Sequence, residues 1–534
     1  MKKLPVGIQS IKKILGNGDY LYVDKTVFIN DLVNEGAPYF FISRPRRFGK
    51  SLFVNTLQEV FRGNKELFKE CEIYHSDYDW QKYPTVLLDF SKIANSTPEE
   101  LKTALKVRLE IIAKEHEISI VTADIQVALD TLVVQLSKKY KTRVVVLIDE
   151  YDKPIIDHLD NLTIAQTNKS ILKGFFGTLK GLDAHLRFIF VTGISKFSRV
   201  SLFSGLNNLK DITIDPKYAG IMGYTEEELK SNFPDYIKNI VEKRKTETEK
   251  TIAKEVRTWY NGYRFSKSEI CVYNPFSTLN FMDKQETGSY WYSTGTPSFL
   301  IDELKKYPNS MISLDGATAS EEALMDISRL DKIDLTALMY QTGYLTIKDY
   351  NPISKRYHLG LPNEEVRSAF INSLVQNFAP MTSLRASRES VKALESHKPA
   401  ILFKQIELGF SSFAYQVFVD AKERTYQAML LSMLYGMGFD PLSERATNTG
   451  RIDVMLEVPK TTYILELKLN SKADIALQQI HEKAYFKPYL HKGKKVVLIG
   501  ANFSSEARNV SDWVGELLSE SGEKIQDLFP EDRE

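Results

Sequence analysis

The sequence predicts an α/β protein in two sheet-bearing parts: a parallel sheet with helices on both faces at the N-terminal end, and a smaller α/β domain at the C-terminal end. Three observations carry this. Residues 38–57, PYFFISRPRRFGKSLFVNTL, read as a buried strand, a tight turn and a helix opened by Gly49-Lys50-Ser51. Residues 143–152, RVVVLIDEYD, read as a fully buried strand ending in two carboxylates. Residues 450–469 carry two strand patterns, GRIDVML and TYILELKL, with a helix and the strand KKVVLIG behind them. Short unbroken apolar runs between turn signals suit strands buried on both faces, whereas amphipathic helices show spacings of three and four.

Taken in order, YLYVDKTVFINDLV (20–33) is a short extended run, Asp24 as an N-cap, then a helix. In many P-loop ATPases the segment before the P-loop strand packs on the base, and this one is placed for that; closing the sheet edge is its alternative. The strand–turn–Gly-Lys-Ser–helix stretch is a P-loop, in which backbone N–H groups at a helix N-terminus cradle phosphate oxygens. Lys50 reaches the β/γ-phosphates of ATP and Ser51 ligates Mg²⁺, while Arg47, Phe48, Gly49 and Leu52 complete the cradle. Gly49 keeps its conformational freedom where the backbone approaches phosphate most closely. The usual first glycine of the motif falls on Arg44.

PTVLLDF (84–90) reads as a second strand, followed by helical stretches at 98–116 and 121–140. RVVVLIDEYD then has the Walker B pattern, in which Asp149 holds Mg²⁺ through its water shell and Glu150 polarises the attacking water. After a helix at 166–182, the strand in HLRFIFVTGISKFS (185–198) ends in Thr192 and Ser195. This position suits a polar sensor of the γ-phosphate, or ordinary turn chemistry. Lys196 and Arg199 are candidates for a charge-neutralising finger, and LKDITID (209–215) supplies a fifth strand. One strand between the two Walker motifs, with a glutamate beside the Walker B aspartate, is the layout of additional-strand P-loop NTPases, which include the AAA and STAND groups. There is no guanine-reading Asn-Lys-x-Asp, which argues against a GTPase.

The expected domains are a P-loop core at 1–215, a helical lid at 216–295, a winged-helix-like segment at 296–377 and a restriction-endonuclease-like domain at 378–534. Thr225 and Glu228 form a capping box in the lid, and the aromatic turns WYNGYRF (259–265) and VYNPFS (272–277) read as packing elements. Helix 333–342, then two strand-like runs joined at Asn351-Pro352, give the helix–hairpin unit, whose mixed charges suit an interdomain relay better than DNA reading.

Helical patterns at 386–408, 412–420 and 421–439 open the last domain. Glu466 and Lys468 point to one face of a strand, and Asp453 on the neighbouring strand can close a Mg²⁺ site with Glu466. Two carboxylates hold the ion, which lowers the pKa of bound water, and the lysine orients or deprotonates that water. Glu423 on the preceding helix can add a carboxylate, and Gln479 and Lys483 on the following helix can orient water or phosphate. Between Lys460 and Lys495 stand eight lysines against Glu466, Asp474 and Glu482, a local excess suited to a phosphate backbone.

The chain is too long for one core, and its net charge of +1 gives no global case for nucleic acid or a membrane. Two cysteines, Cys71 and Cys271, exclude a disulfide framework or zinc finger and suit a reducing compartment. MKKLPVGIQSIKK lacks the apolar core of a signal peptide, and no run approaches the length of a membrane helix, so a cytoplasmic protein is expected.

With both ends read, the chain resembles the bacterial family that pairs an AAA-ATPase-like domain with a C-terminal PD-(D/E)XK nuclease-superfamily domain. The resemblance spans almost the whole chain and is carried by YVDKT (22–26), RPRRFGKS (44–51), LIDEYD (147–152), FSGLNNLKDIT (203–213), YNGYRF (260–265), YNPFS (273–277), YQTGYLTI (340–347), LPNEEVR (361–367), GRIDVML (450–456), LELK (465–468) and ALQQI (476–480). Arginine at the first P-loop position is a family feature. The resemblance implies ATP and Mg²⁺ roles for Lys50, Ser51, Asp149 and Glu150, and nuclease roles for Asp453, Glu466 and Lys468. It implies an ATPase controlling a Mg²⁺-dependent nuclease acting on nucleic acid, DNA ahead of RNA. The alternative is a switch whose nuclease-like domain only binds nucleic acid or a protein partner. Homo-oligomer formation is left open.

Overall fold

The computed structural model describes residues 1–196, 208–245, 248–292, 317–325, 334–370, 384–412, 423–437, 439, 441–446 and 451–530. These divide into two compact units, one made of the residues up to 292 with 317–367, the other of those from 368 onward.

In the first unit, five strands form one parallel sheet: β1 (Tyr39–Ser43), β2 (Thr85–Asp89), β3 (Val144–Asp149), β4 (Leu186–Gly193) and β5 (Leu209–Asp211), in the order β2-β3-β4-β1-β5. The P-loop strand β1 therefore lies between β4 and β5, and β4 separates it from the Walker B strand β3, as in the additional-strand layout. Every residue of β1 and β3 is buried, so their near-continuous apolar sequence is the signature of strands covered on both faces. Long helices bridge the parallel strands: Lys50–Phe61 and Pro98–Glu115, then Ile125–Tyr140, then Leu162–Gly177. Thr97, Asp124 and Asn161 cap three of them by accepting backbone N–H bonds.

The region 216–285 is mostly helical, with Glu226–Asn232 opened by the Thr225/Glu228 capping box and followed by Pro234–Arg244, Glu249–Tyr260 and Pro275–Lys284. The short strands β6 (Tyr263–Arg264) and β7 (Cys271–Val272) form a hairpin among them. Tyr260, Tyr263, Phe265 and Tyr273 are buried, so these aromatic turns do pack. Beyond them, β8 (Thr318–Ser320), β9 (Thr346–Asn351) and β10 (Arg356–Gly360) make an antiparallel sheet beside the helix Leu335–Thr342.

The second unit has a six-stranded sheet in sequence order: β11 (Leu442–Ala446), β12 (Arg451–Val458), β13 (Thr461–Leu469), β14 (Lys495–Ser504), β15 (Asn509–Leu518) and β16 (Lys524–Leu528). Only β13 and β14 pair in parallel among these neighbours, and the helix Ala473–Lys483 makes their crossover. One face packs on the helices Leu384–Glu395, Pro399–Ser412 and Glu423–Gly436, through Leu394, Phe403, Met433, Leu465 and Trp513. The other face packs on the crossover helix, through Met455, Ile464, Ile480 and Leu498. β15 and β16 have no counterpart in the sequence reading. The expected helix at 412–420 falls, after Ser412, outside the described residues.

Candidate functional site

The P-loop leaves β1 at Ser43, whose N–H donates to Thr213 Oγ1 at 3.1 Å. Arg44, in the place of the motif's first glycine, is a scaffold residue. The residue is 1% exposed, and its guanidinium donates to the carbonyls of Ser43 (2.9 Å), Thr213 (2.7 Å) and Tyr218 (3.3 Å) while lying 4.3 Å from the centre of the Phe265 ring. Burial pulls its pKa down to about 10. Pro45 rests on Gly343: a Cβ added there would come within 2.8 Å of the proline ring, and Gly343 has φ +94°. The Arg46 carbonyl accepts from Trp291 Nε1 at 3.1 Å, and the Trp291 N–H donates to Glu365 at 2.6 Å. Glu365 also accepts from Ser277 Oγ at 2.9 Å. Burial pushes the Glu365 carboxyl up to about 7.

Phe48 is buried edge-on against Tyr263 (4.8 Å) and Phe265 (5.4 Å), so its side chain anchors the loop, a burial that contributes about 1.5–3 kcal/mol. Gly49, at φ +89°, caps the helix that begins at Lys50. Arg47 and Glu150 also hold left-handed conformations, φ 66° and 51°, which are uncommon for residues with a side chain and tend to gather at functional sites.

These residues open onto a cleft of about 480 Å³ lined by Arg46, Arg47, Gly49, Lys50, Ser51 and Leu52, with Glu150 and Asp152 from the end of the Walker B strand. Lys50 is buried and donates to the carbonyls of Arg44 (3.0 Å) and Pro45 (2.9 Å). Burial lowers its pKa, opposed by Asp149, Glu150 and Asp152. Burial raises Asp149 to about 6, opposed by a hydrogen bond from Ser51 and by Lys50. Lys50, Ser51, Asp149 and Glu150 thus come together at one edge of the sheet, where open α/β sheets bind ligands.

Thr192 lies on β4 opposite Ile42, fully buried, and is not among the cleft-lining residues. Lys196 is buried and turned to Asp211 at 2.5 Å, so it is no finger toward the cleft; Arg199 is outside the described residues. The segment 20–33 does not line the cleft either. Lys25 there donates to Glu228 at 2.6 Å and to the Gly220 carbonyl at 2.8 Å, tying the start of the helix Thr26–Asn34 to the helix Glu226–Asn232. The wall is made instead by Pro5, Ile8 and Gln9 with Tyr224, Phe276 and Leu279. Sequence reasoning took VYNPFS for packing alone, but Phe276 faces the cleft and carries the Arg47 guanidinium 4.8 Å from its ring centre. Asn274 capping the helix Pro275–Lys284 was the available signal that Phe276 sits in a first turn.

In the second unit, Met455 pairs with Ile464 across β12 and β13, on the face covered by the crossover helix. Period-two alternation puts Asp453 and Glu466 on that same face, opposite each other. Asp453 Oδ2 accepts from the Leu467 N–H at 2.9 Å, and Gln427 holds the Asp453 carbonyl at 2.9 Å. Glu466 is 2% exposed. Its Oε1 accepts from Gln479 Nε2 and lies 3.5 Å from Lys468 Nζ, while its Oε2 is buried with no hydrogen-bond partner among the described residues. Burial, then Asp453, pushes Glu466 up to about 8, with Lys468 opposing and Glu423 adding to the rise. Glu423, at the start of its helix, accepts from the Leu469 N–H at 3.1 Å.

Gly500, beside Glu466 in the register, explains how Gln479 reaches it. A Cβ at Gly500 would lie 2.3 Å from the Ala473 carbonyl and 2.4 Å from the Leu477 N, so glycine lets the helix sit directly on the strand. Among the described residues no group of three or more His, Cys, Asp or Glu is placed to hold a metal ion. The fit to a divalent cation rests on the pair Asp453 and Glu466: two facing carboxylates with one lysine nearby, and an unpartnered buried oxygen that a cation would satisfy.

Residues 5–203 match a family described as predicted AAA-ATPase, AAA-ATPase-like, and residues 421–513 match the PD-(D/E)XK nuclease superfamily. A protein of Azotobacter chroococcum mcd 1, described as an uncharacterized protein in the vnfD 5'region, is 35% identical over 528 residues, covering 97% of this chain and 99% of that protein. No solved structure matches the chain. Among the described residues no helix is long and apolar enough to cross a membrane.

Proposed function

We propose that this chain, which belongs to the family joining an AAA-ATPase-like domain to a PD-(D/E)XK nuclease-superfamily domain, binds and hydrolyses ATP in its first unit and cleaves nucleic acid phosphodiesters in its second, the nucleotide state controlling the cleavage. The observation that carries the second half is the facing pair Asp453 and Glu466, with Lys468 3.5 Å from Glu466 Oε1 and Oε2 without a hydrogen-bond partner among the described residues. Ser51 and Asp149 would hold the Mg²⁺ that accompanies ATP, and Asp453 and Glu466 the one in the second unit. When bound, the ion neutralises developing charge and lowers the pKa of its water.

Lys50 exchanges the Arg44 and Pro45 carbonyls for the β- and γ-phosphate oxygens, and its burial makes that charge–charge contact strong. Glu150 accepts a hydrogen bond from the attacking water and orients it in line with the γ-phosphate. The apolar wall of Pro5, Ile8, Phe276 and Leu279 suits the base. In the second unit, Lys468 orients the water that attacks the phosphodiester, and Gln479 fixes the rotamer of Glu466. The lysines between 460 and 495 suit the substrate backbone, DNA ahead of RNA, and the free Cys71 and Cys271 suit a cytoplasmic setting.

The test is a panel of DNA and RNA substrates with Mg²⁺ or Mn²⁺, with and without ATP, using the full chain and its Asp453→Ala and Lys468→Ala variants. Cleavage by the wild type that falls by about 10²–10³-fold in both variants is expected. Equal activity in the variants removes the assignment of the site, and nucleic acid binding without cleavage leaves a binding module in its place.

A further inference from the structure

The Walker B segment delivers a third carboxylate that neither the motif nor the mechanism above uses. Asp152 is 1% exposed and lines the same cleft as Lys50 and Glu150. Its two oxygens have different surroundings. Oδ2 accepts three hydrogen bonds from the chain leaving β4: the Ile194 N–H at 3.0 Å, the Ser195 N–H at 2.7 Å and the Ser195 hydroxyl at 2.7 Å. Oδ1 has no hydrogen-bond partner among the described residues. A buried carboxylate oxygen left unpaired is costly, so its retention asks for a ligand. The posture is built in. Gly193 has no Cβ, and one placed there would sit 2.6 Å from Oδ1 and 2.7 Å from the Tyr151 ring.

The turn held by Asp152 continues into a second set of contacts. The Lys196 N–H donates to Gln341 Oε1 at 2.6 Å, and Gln341 Nε2 donates to the Leu324 carbonyl at 2.7 Å. Gln341 is buried in the helix Leu335–Thr342, which precedes the β9–β10 hairpin. A continuous hydrogen-bonded path therefore runs from the phosphate cleft to the 317–366 segment within one compact unit.

We propose that Asp152 is a positioning residue that reports the phosphate occupant of the cleft to this segment: Oδ1 accepts a hydrogen bond from a water brought in with the nucleoside triphosphate, and Oδ2 passes the adjustment through residues 194–196 to Gln341. The donor must be a water, because a carboxylate oxygen cannot face a phosphate oxygen directly. Lys50 lies within electrostatic reach of Asp152, but in the loaded site its hydrogens go to the β- and γ-phosphate oxygens. A diphosphate lacks the group that fixes this water, so the path distinguishes the two nucleotides by the differential contact that any switch requires. The proposal rests on the ATP-site reading above.

The test is amide hydrogen exchange on the full chain, with Mg²⁺ and saturating adenylyl imidodiphosphate against Mg²⁺ and saturating ADP. For the wild type we expect peptides covering residues 194–196 and 334–345 to exchange at least about fivefold more slowly with the triphosphate analogue than with ADP. Asp152→Asn should lose most of that difference. Gln341→Leu, outside the cleft, should also lose it at 334–345 while keeping it at 194–196, which guards against Asp152→Asn failing to fold. A difference that survives in both variants, or that is absent in a wild type shown by titration to bind both nucleotides, overturns the relay and leaves the ATP site standing. A wild type that binds neither nucleotide overturns both.

Discussion

The two clusters of acid and lysine answer their own charges in different ways. In the first unit the cation is buried and its charge already answered: Lys50 sits on two backbone carbonyls, with Asp149, Glu150 and Asp152 around it. In the second unit the lysine answers one oxygen alone: Lys468 lies 3.5 Å from Glu466 Oε1, and Oε2 has no hydrogen-bond partner among the described residues. Around Lys50 the first arrangement is satisfied without a ligand, apart from Asp152 Oδ1, and Lys50 must give up its carbonyls to take one. The second is frustrated without a ligand and is completed by one. A pocket of the first kind suits a regulator that waits, and one of the second kind suits a centre whose electrostatics depend on an added cation.

The contrast breaks most sharply at Glu150. Glu150→Gln should lower ATP turnover by about 10²–10⁴-fold with the nucleotide still bound, measured as phosphate release against equilibrium binding. Equal turnover would make the left-handed conformation at residue 150 a turn feature with no part in hydrolysis.

Gly500→Ala comes next. The methyl must push the crossover helix off β14 and take Gln479 away from Glu466, costing about 1–3 kcal/mol of stability. Divalent-cation affinity should fall by about 10–100-fold, as for lost support of a metal ligand, followed by calorimetric titration with Mn²⁺.

The third effect is on pH. Glu466 is raised to about 8 from an ordinary 4.5, so it holds its proton in the folded chain where the unfolded chain has lost it. Its contribution to stability is complete below about 4.5 and is lost as pH rises through about 8. A divalent cation, which needs the ionised form, should reverse the trend. Thermal melts of the full chain at pH 6 and 8.5 should therefore show Mn²⁺ stabilisation growing with pH, and Glu466→Gln should flatten that growth.

The smallest effect is at Glu365, raised by burial to about 7. Glu365→Gln should cost on the order of 1 kcal/mol at pH 6, where it trades one hydrogen-bond pattern for another, and less at pH 8, where the buried wild-type carboxylate must ionise. Denaturant midpoints at the two pH values measure the difference.

What could be read from the sequence was whatever lies contiguous along it. Strand, turn, Gly49-Lys50-Ser51 and helix are neighbours in the chain, and Asp149-Glu150 terminate their own strand, so pattern alone brought them to one sheet edge. Asp453, Glu466 and Lys468 were legible because alternation fixes which way a strand residue faces. The rest depends on approaches between distant segments, which leave no local pattern. Pro5 and Phe276 meet in the cleft across about 270 residues, and Glu365 joins Ser277 to Trp291. Arg44 stands where the motif's usual first glycine falls, and the contacts that explain it, the Thr213 and Tyr218 carbonyls, lie far along the chain. Lys196 looked like a finger because nothing in its own stretch announces Asp211.

The contact of Pro45 with Gly343 bears on how the molecule can be dissected. The AAA-ATPase-like match ends at residue 203, yet the loop that would hold phosphate is propped from beneath by a glycine near position 340 and steadied at Arg46 by Trp291. A fragment cut where the family match stops would carry every motif residue of the nucleotide site on a loop deprived of its floor. Such a fragment failing to bind ATP would indict the cut, and a fair dissection keeps the chain at least to residue 367.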